Sequence, residues 1–206
     1  MSSTLIAEPP IRPPSPPSGG GWGDSFHGRS EETAIRTNLT GVWLAMIGIT
    51  MVFIAFSSAL IVRRGVSFDW TPTALPRIFW LNTAVLVMSS LTVEMARKAL
   101  REHATAAFRR WWWISTALGA AFLAGQGIAW KQLAAAGVYL SSNPSSSFLY
   151  LLTGAHGVHL IGGVLALGAT ALRSAPRRPA VEAVALYWHF MDGLWIYLLM
   201  VLLYWR

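Results

Sequence analysis

The stretch LYWHFMDGLWIYLLMVLLYWR, Leu186–Arg206, decides the fold class of this chain. It is long and apolar enough to cross a membrane, and a tyrosine–tryptophan pair stands near each end, as in the aromatic belts at the two surfaces of a bilayer. It nevertheless carries His189 and Asp192, and ionisable side chains are costly in hydrocarbon unless they are paired. The segment therefore predicts a membrane helix that packs its polar side chains against other helices.

The composition of the whole chain also indicates a membrane protein. Of its 206 residues, 54% are hydrophobic and only 12% are charged, and eleven are tryptophan, which suggests interfacial aromatic rings. There is no cysteine, which excludes disulfides, thiolate metal sites and a cysteine nucleophile. The net charge of +7 does not indicate nucleic-acid binding, because the basic residues lie between apolar runs.

Five apolar runs are each long enough to span a bilayer. Backbone groups in lipid must hydrogen bond within their own segment, and the runs are too long and too uniformly apolar for barrel strands. We therefore predict an all-α membrane protein, with a bundle of five transmembrane helices within residues 40–206. The predicted spans are Thr40–Val62, Ile78–Ala96, Trp111–Leu133, Phe148–Leu172 and Ala183–Trp205.

Residues 1–39 differ from the rest of the chain. They contain six of the eleven prolines, followed by a run rich in serine and glycine. Such a composition cannot bury a hydrophobic core, so we predict a disordered tail. It has no basic segment followed by an apolar stretch and therefore does not match a secretory signal.

The distribution of Lys and Arg predicts the orientation in the membrane. Eleven of these residues lie on the side of the amino terminus and five on the opposite side. The positive-inside rule then places the amino terminus in the cytoplasm and the carboxyl terminus outside. Basic groups on the cytoplasmic side are expected to meet anionic lipid headgroups. The predicted headgroup contacts are Arg97, Lys98, Arg101 and Arg173.

Polar side chains within the third and fourth spans are candidate site residues. Gln126 lies between two glycines in the third span, where a buried amide is expected to hydrogen bond to a neighbouring helix. His156 and His159 share a face of the fourth span, in the motif TGAHGVHLIGG. The histidine pair allows three interpretations: a metal or haem site, a buried hydrogen-bond network, or a proton relay.

The last span supplies the acidic partners for these histidines. Glu182, His189 and Asp192 are spaced so that they form one stripe on the helix. Counting depth at about 1.5 Å per residue predicts a direct contact between Asp192 and His159, and it excludes one between His156 and His189.

Taken together, these motifs resemble subunit III of the haem–copper oxidases, in its short five-helix form. The resemblance covers about residues 40–206. The motifs that carry it are Trp70-Thr-Pro, LNTAVLVMSSLTVEMA (Leu81–Ala96), Gln126, TGAHGVHLIGG (Thr153–Gly163) and YWHFMDGLWIYLLMVLLYW (Tyr187–Trp205).

The resemblance implies a non-catalytic subunit of a proton-pumping cytochrome c oxidase in a bacterial-type inner membrane. It implies docking on the catalytic subunit I with subunit II, bound phospholipid, and support for oxygen access and proton uptake. It also implies no catalytic, cofactor-binding or metal-binding residue in this chain, with haem and copper in the partner subunits. One departure concerns the glutamate that many family members carry in the first of the five helices, because Thr50 stands in its place.

Other hypotheses remain open from the sequence. The chain could accompany a quinol oxidase or a nitric oxide reductase, since nothing in it identifies the electron donor. A small transporter or a haem anchor belongs to a different class of protein. A transporter would usually show an internal repeat or broken helices, and a di-haem anchor needs paired ligands at matching depths, neither of which the sequence shows.

Overall fold

The computed structural model describes residues 22–66, 68, 70, 75–173 and 177–204, with side chains described from residue 39 onward. The described residues form five helices and no strand, which confirms the all-α class and the five-helix count. Of the Trp70-Thr-Pro motif, only Trp70 is among these residues. The helices are α1 (Trp22–Val66), α2 (Ile78–Arg101), α3 (Thr105–Ala135), α4 (Pro144–Ala171) and α5 (Arg178–Tyr204).

The first helix begins well ahead of the predicted start at Thr40. Residues 22–39 contain no proline, so the backbone can continue the helix into the segment that the composition assigned to the tail. The part of α1 with described side chains, Leu39–Val66, is long and apolar enough to cross a membrane and contains the predicted span Thr40–Val62. The proline-rich part of the predicted tail, residues 1–21, lies outside the described residues.

Within the described residues, four helices are both long and apolar enough to cross a membrane, namely the apolar part of α1 together with α2, α4 and α5. The remaining helix, α3, is 31 residues long and packs against both α2 and α4. It contains Ser115, Thr116 and Gln126, whose polar side chains lower its hydropathy.

Helices α2, α3, α4 and α5 form a closed four-helix bundle, in which each helix contacts the next and α5 returns to α2. The first helix packs on the outside of this bundle against α4 and α5. The centre contains large side chains that are fully buried, among them Trp112, Phe122, Trp188 and Trp195. The placement of Trp188 in an interfacial belt was therefore wrong, because α5 begins at Arg178, about three turns before it.

The connection between α3 and α4 follows from local sequence. Gly137 adopts a φ of 77°, a conformation that glycine tolerates best, and the Val138 amide then donates to the Leu133 carbonyl. The next helix begins with Asn143, whose side chain accepts from the Ser146 amide in a reciprocal capping box. This short turn makes α3 and α4 antiparallel neighbours.

Candidate functional site

The polar stripe predicted on α5 faces α2. Glu182 is ion-paired with Arg97 of α2, and His189 hydrogen bonds to α2 side chains one to two turns further along the bundle. Asp192 follows on the same face, deeper in the bundle. The three side chains lie along one face of α5. Their partners lie on α2, whereas the sequence had favoured α4.

Arg97 joins the two carboxylates at the end of the bundle where α2 ends and α5 begins. Its guanidinium donates to Glu94 Oε1 at 2.5 Å and also to Glu182 Oε2. The Arg97 side chain is 23% exposed, so this network is partly removed from water and ties the two helices together. Its neighbour Lys98 makes only a long pair with Glu102, at 4.0 Å.

Both ring nitrogens of His189 have hydrogen-bond partners. Nε2 lies 2.8 Å from Glu94 Oε1, and Nδ1 lies 2.5 Å from the Ser90 hydroxyl. Glu94 and Ser90 are four residues apart on α2, so one face of that helix presents both to the ring. His189 therefore links the charged group at the helix ends to a hydroxyl further inside the bundle.

Asp192 is the most deeply buried carboxylate among the described residues. It is 6% exposed, and neither carboxylate oxygen has a hydrogen-bond partner within the described part of the chain. The polar group that interacts with it is the Ser90 hydroxyl, without reaching hydrogen-bond geometry. The predicted contact between Asp192 and His159 is therefore wrong. The depth count fixed their heights in the membrane but not the directions in which they point.

His159 points toward α1 and away from Asp192. Its Nδ1 donates to the carbonyl of Ala155 at 2.8 Å, and its ring meets the edge of Phe53 with centroids 6.0 Å apart. Its own carbonyl accepts a hydrogen bond from the Tyr187 hydroxyl at 3.0 Å. These contacts fix α4 against α1 and α5, and they leave the ring as a packing group.

His156 points in a different direction, into the centre of the bundle. It is fully buried between Phe122 and Trp195, with ring centroids 6.0 and 5.3 Å away. Neither of its nitrogens has a hydrogen-bond partner among the described residues. Across the described residues, no three His, Asp or Glu side chains lie close enough together to hold a metal ion. The two histidines of α4 therefore do not form a shared site.

Gln126 is buried at the contact of α3 with α2. Its amide has no hydrogen-bond partner within the described part of the chain, so the predicted interhelical hydrogen bond is wrong. The close approach expected beside it does occur, because the Asn82 side chain packs directly on Gly125. A methyl group at that glycine would overlap the Asn82 amide.

Thr50 is satisfied within its own helix. Its hydroxyl donates to the Met46 carbonyl at 2.7 Å, and it lines an apolar groove between α1 and Phe190 of α5. A carboxylate at this position would face an apolar surface, whereas threonine presents a methyl group there.

Three of the four predicted lipid-headgroup residues have exposed side chains at the expected end of the bundle. Arg101 at the end of α2 and Arg173 just after α4 are both exposed. Arg97 is instead held by two carboxylates, and Lys98 is exposed beside Glu102.

Sequence reasoning did not assign Ser90 or Glu94 to a site with His189. Both residues lie on α2, and Glu94 is also ion-paired with Arg97. The sequence shows only that they are four residues apart on α2. This spacing places both side chains on one face of the helix, where a single imidazole ring can contact both. That spacing cannot show which helix lies opposite.

Comparison with known proteins identifies the family. A family model described as cytochrome c oxidase subunit III matches residues 24–206. The chain belongs to the cytochrome c oxidase subunit III family. Among curated members, the cytochrome c oxidase subunit 3 of Synechocystis sp. is 32% identical over 191 residues, covering 86% of this chain and 78% of the relative.

Two further subunit III relatives cover similar parts of the chain. The protein of Thermostichus vulcanus is 30% identical, with 80% of this chain and 85% of the relative covered. The probable cytochrome c oxidase subunit 3 of Nocardia farcinica is 33% identical, with 76% and 81% covered. The resemblance drawn from the motifs is therefore confirmed, and the chain is a multi-pass membrane subunit of the haem–copper oxidase class.

Proposed function

We propose that this chain is the non-catalytic subunit III of a proton-pumping cytochrome c oxidase in aerobic respiration. The observation that carries the proposal is the subunit III family match over residues 24–206. The side-chain geometry fits it, because the polar groups of the bundle bond within their own helix, make interhelical contacts or lie unpartnered. Oxygen reduction would then take place on haem and copper in the partner subunits.

The outer surface of the bundle suits both lipid and partner helices. Large apolar side chains are exposed along α1, α2 and α4, including Leu44, Met88 and Val158. In a membrane these side chains meet acyl chains or the helices of subunits I and II. Arg101 and Arg173 would contact phospholipid headgroups at the end of the bundle that we place in the cytoplasm. The carboxyl-terminal end of α5 would then lie at the outer face of the inner membrane, opposite the cytoplasm.

Support for the partner is the role we assign to this subunit. A helical subunit packed against subunit I would stabilise it, keep an apolar route open to oxygen and sustain proton uptake. With Thr50 in place of the glutamate, no carboxylate from the predicted span of α1 contributes to this role, because residues Thr40–Val62 include no acidic residue. The subunit III match favours this assignment over a small transporter or a haem anchor. A quinol oxidase or nitric oxide reductase remains the alternative host complex.

The test compares the purified oxidase with and without this chain. We expect the complex lacking it to start oxygen reduction at a similar rate and then to lose activity during continued turnover. Adding back the purified chain should restore sustained turnover. An oxidase that loses its initial activity completely would assign this chain a direct catalytic part, and unchanged turnover would contradict the supporting role.

A further inference from the structure

A line of side chains runs from the surface of the bundle to the buried carboxylate of Asp192. It begins at Glu94, whose side chain is 45% exposed where α2 ends. Glu94 Oε1 lies 2.8 Å from His189 Nε2, and His189 Nδ1 lies 2.5 Å from the Ser90 hydroxyl. The Ser90 hydroxyl interacts in turn with Asp192, which is 6% exposed.

Each member of this line can accept a proton on one side and release one on the other. An imidazole binds a proton at one nitrogen and gives up the proton of the other, and a serine hydroxyl both donates and accepts. A proton that reaches His189 Nε2 from Glu94 allows the Nδ1 proton to pass to Ser90 Oγ. Ser90 then releases its own hydroxyl proton to Asp192. One proton enters and one arrives, with no change in the charge of His189 or Ser90.

The inner end of this network differs from that of a network that only holds helices together. Buried polar groups that fasten helices are hydrogen bonded at both ends. Here the outer end is well satisfied, because Glu94 Oε1 is hydrogen bonded to both Arg97 and His189. The inner carboxylate of Asp192 has no hydrogen-bond partner among the described residues. An ionisable side chain without a partner inside a membrane bundle is costly, and this makes it a candidate functional group.

The charged groups at the surface hold the entrance in place. Arg97 stays protonated at neutral pH, so it orients Glu94 and Glu182 without entering the line. Glu182 lies on the far side of Arg97 and makes a second partly exposed carboxylate at the same end.

We propose that Glu94, His189 and Ser90 form a proton wire that exchanges the proton of Asp192 with the aqueous phase where α2 ends and α5 begins. The wire is a property of this chain alone. Its use in supplying protons to a partner that consumes them rests on the proposed function.

Infrared spectroscopy of the full chain in phospholipid nanodiscs tests the wire directly. The sequence has three aspartates, Asp24, Asp69 and Asp192, so ¹³C-labelling of aspartate isolates few carboxyl bands. The Asp192→Asn variant identifies the band of Asp192 by its loss. Transfer into D₂O then gives the rate at which the protonated carboxyl of Asp192 exchanges.

We expect rapid exchange in the natural chain. Ser90→Ala and His189→Phe should each slow it at least about tenfold, as expected when a proton-transfer group is removed. Ser57→Ala is the matched control, because Ser57 is a buried serine on α1 outside the line. In this variant the exchange rate of the Asp192 carboxyl should be unchanged. Ser90→Ala is the smaller change and decides the test if His189→Phe does not fold.

Two results overturn the wire. One is equal exchange rates in the natural chain, Ser90→Ala and His189→Phe. The other is an Asp192 that takes up no proton across the pH range in which the chain is folded. Because the measurement needs no partner subunit, either result leaves the proposed oxidase role standing. Loss of that role, in turn, would leave the exchange rates unchanged.

Discussion

Individual buried side chains in this bundle fall into two groups that differ in hydrogen bonding. The indole N–H groups of Trp188 and Trp195 donate to Ser89 and Thr83, at 3.1 and 3.0 Å, and so join α5 to α2. His156 has no such partner among the described residues, although it is as deeply buried. Stability should therefore depend on its ring shape and volume more than on its nitrogens.

Substitutions of His156 and His189 should separate buried rings with and without hydrogen-bond partners. We expect His156→Phe to leave thermal stability within about 1 kcal/mol of the natural chain, because an aromatic ring of similar size replaces one that makes no hydrogen bond. His189→Phe should cost about 1–3 kcal/mol, since it removes the hydrogen bonds that the ring makes to Glu94 and Ser90. Unfolding in detergent measures both. An equal loss in the two variants would reveal a hydrogen-bond partner of His156.

Glycine substitutions on α3 test the close helix contacts. A Cβ at Gly119 would lie 2.6 Å from the buried ring of Trp188, and one at Gly125 would overlap Asn82. Each alanine variant should lose about 1–3 kcal/mol through overpacking. Gly127→Ala is the control, because no described atom from a neighbouring residue lies within 4 Å of its added Cβ. Thermal unfolding of the three variants checks this, and a loss at Gly127 equal to that at Gly119 would contradict the packing described.

Whole helices are joined by a few polar contacts placed at different depths. Trp112 Nε1 donates to the Leu167 carbonyl at 2.9 Å and Trp130 Nε1 to the Thr153 hydroxyl at 3.2 Å, so α3 is tied to α4. At the end where α2 meets α5, the tie is ionic, through Arg97 and Glu182. Contacts at several depths resist both sliding and rotation of one helix against another.

A double-mutant cycle measures the ionic tie between α2 and α5. We expect Arg97→Ala and Glu182→Ala to be coupled by about 1 kcal/mol, because the pair is partly buried and hydrogen bonded. The comparison cycle uses Lys98 and Glu102, which are exposed and 4.0 Å apart on one helix, and should show no measurable coupling. Equal coupling in the two cycles would mean that the pair between α2 and α5 contributes no more than a surface contact.

The helices themselves were predictable because hydropathy is a local property of sequence. Predicted starts and ends agree with the structure to within about five residues for α2, α4 and α5, whose apolar runs are bounded by charged or turn-forming residues. The stripe of Glu182, His189 and Asp192 was also predictable, since it depends only on helix periodicity.

The partners across helix contacts were not predictable in the same way. The face of a helix that contacts a given neighbour depends on how the helix is rotated about its axis in the bundle. That rotation is set by packing between residues that are far apart in sequence. His189 therefore met Ser90 and Glu94 of α2, although the short connection between α4 and α5 had directed attention to α4. Trp188 was misplaced for the same reason, because an aromatic side chain near the end of an apolar run can face either an interface or a buried contact.

At the scale of the whole molecule, the chain is a bundle whose interior is built for packing and whose outside is apolar. The polar line from Glu94 to Asp192 lies at the contact of α2 with α5, and exposed apolar residues such as Leu44 and Val158 cover the outer faces. Family membership over residues 24–206 and these apolar faces support a subunit that associates with other membrane-spanning chains.

Purification of the tagged chain from its own membranes in mild detergent tests that association most directly. We expect a haem–copper catalytic subunit to co-purify in a fixed ratio, with haem bands in the absorbance spectrum and copper in the metal analysis. Removal of the partner should remove both signals from this chain. A chain that purifies without haem and copper, or that retains haem after its partners have been removed, would contradict its assignment as a non-catalytic oxidase subunit.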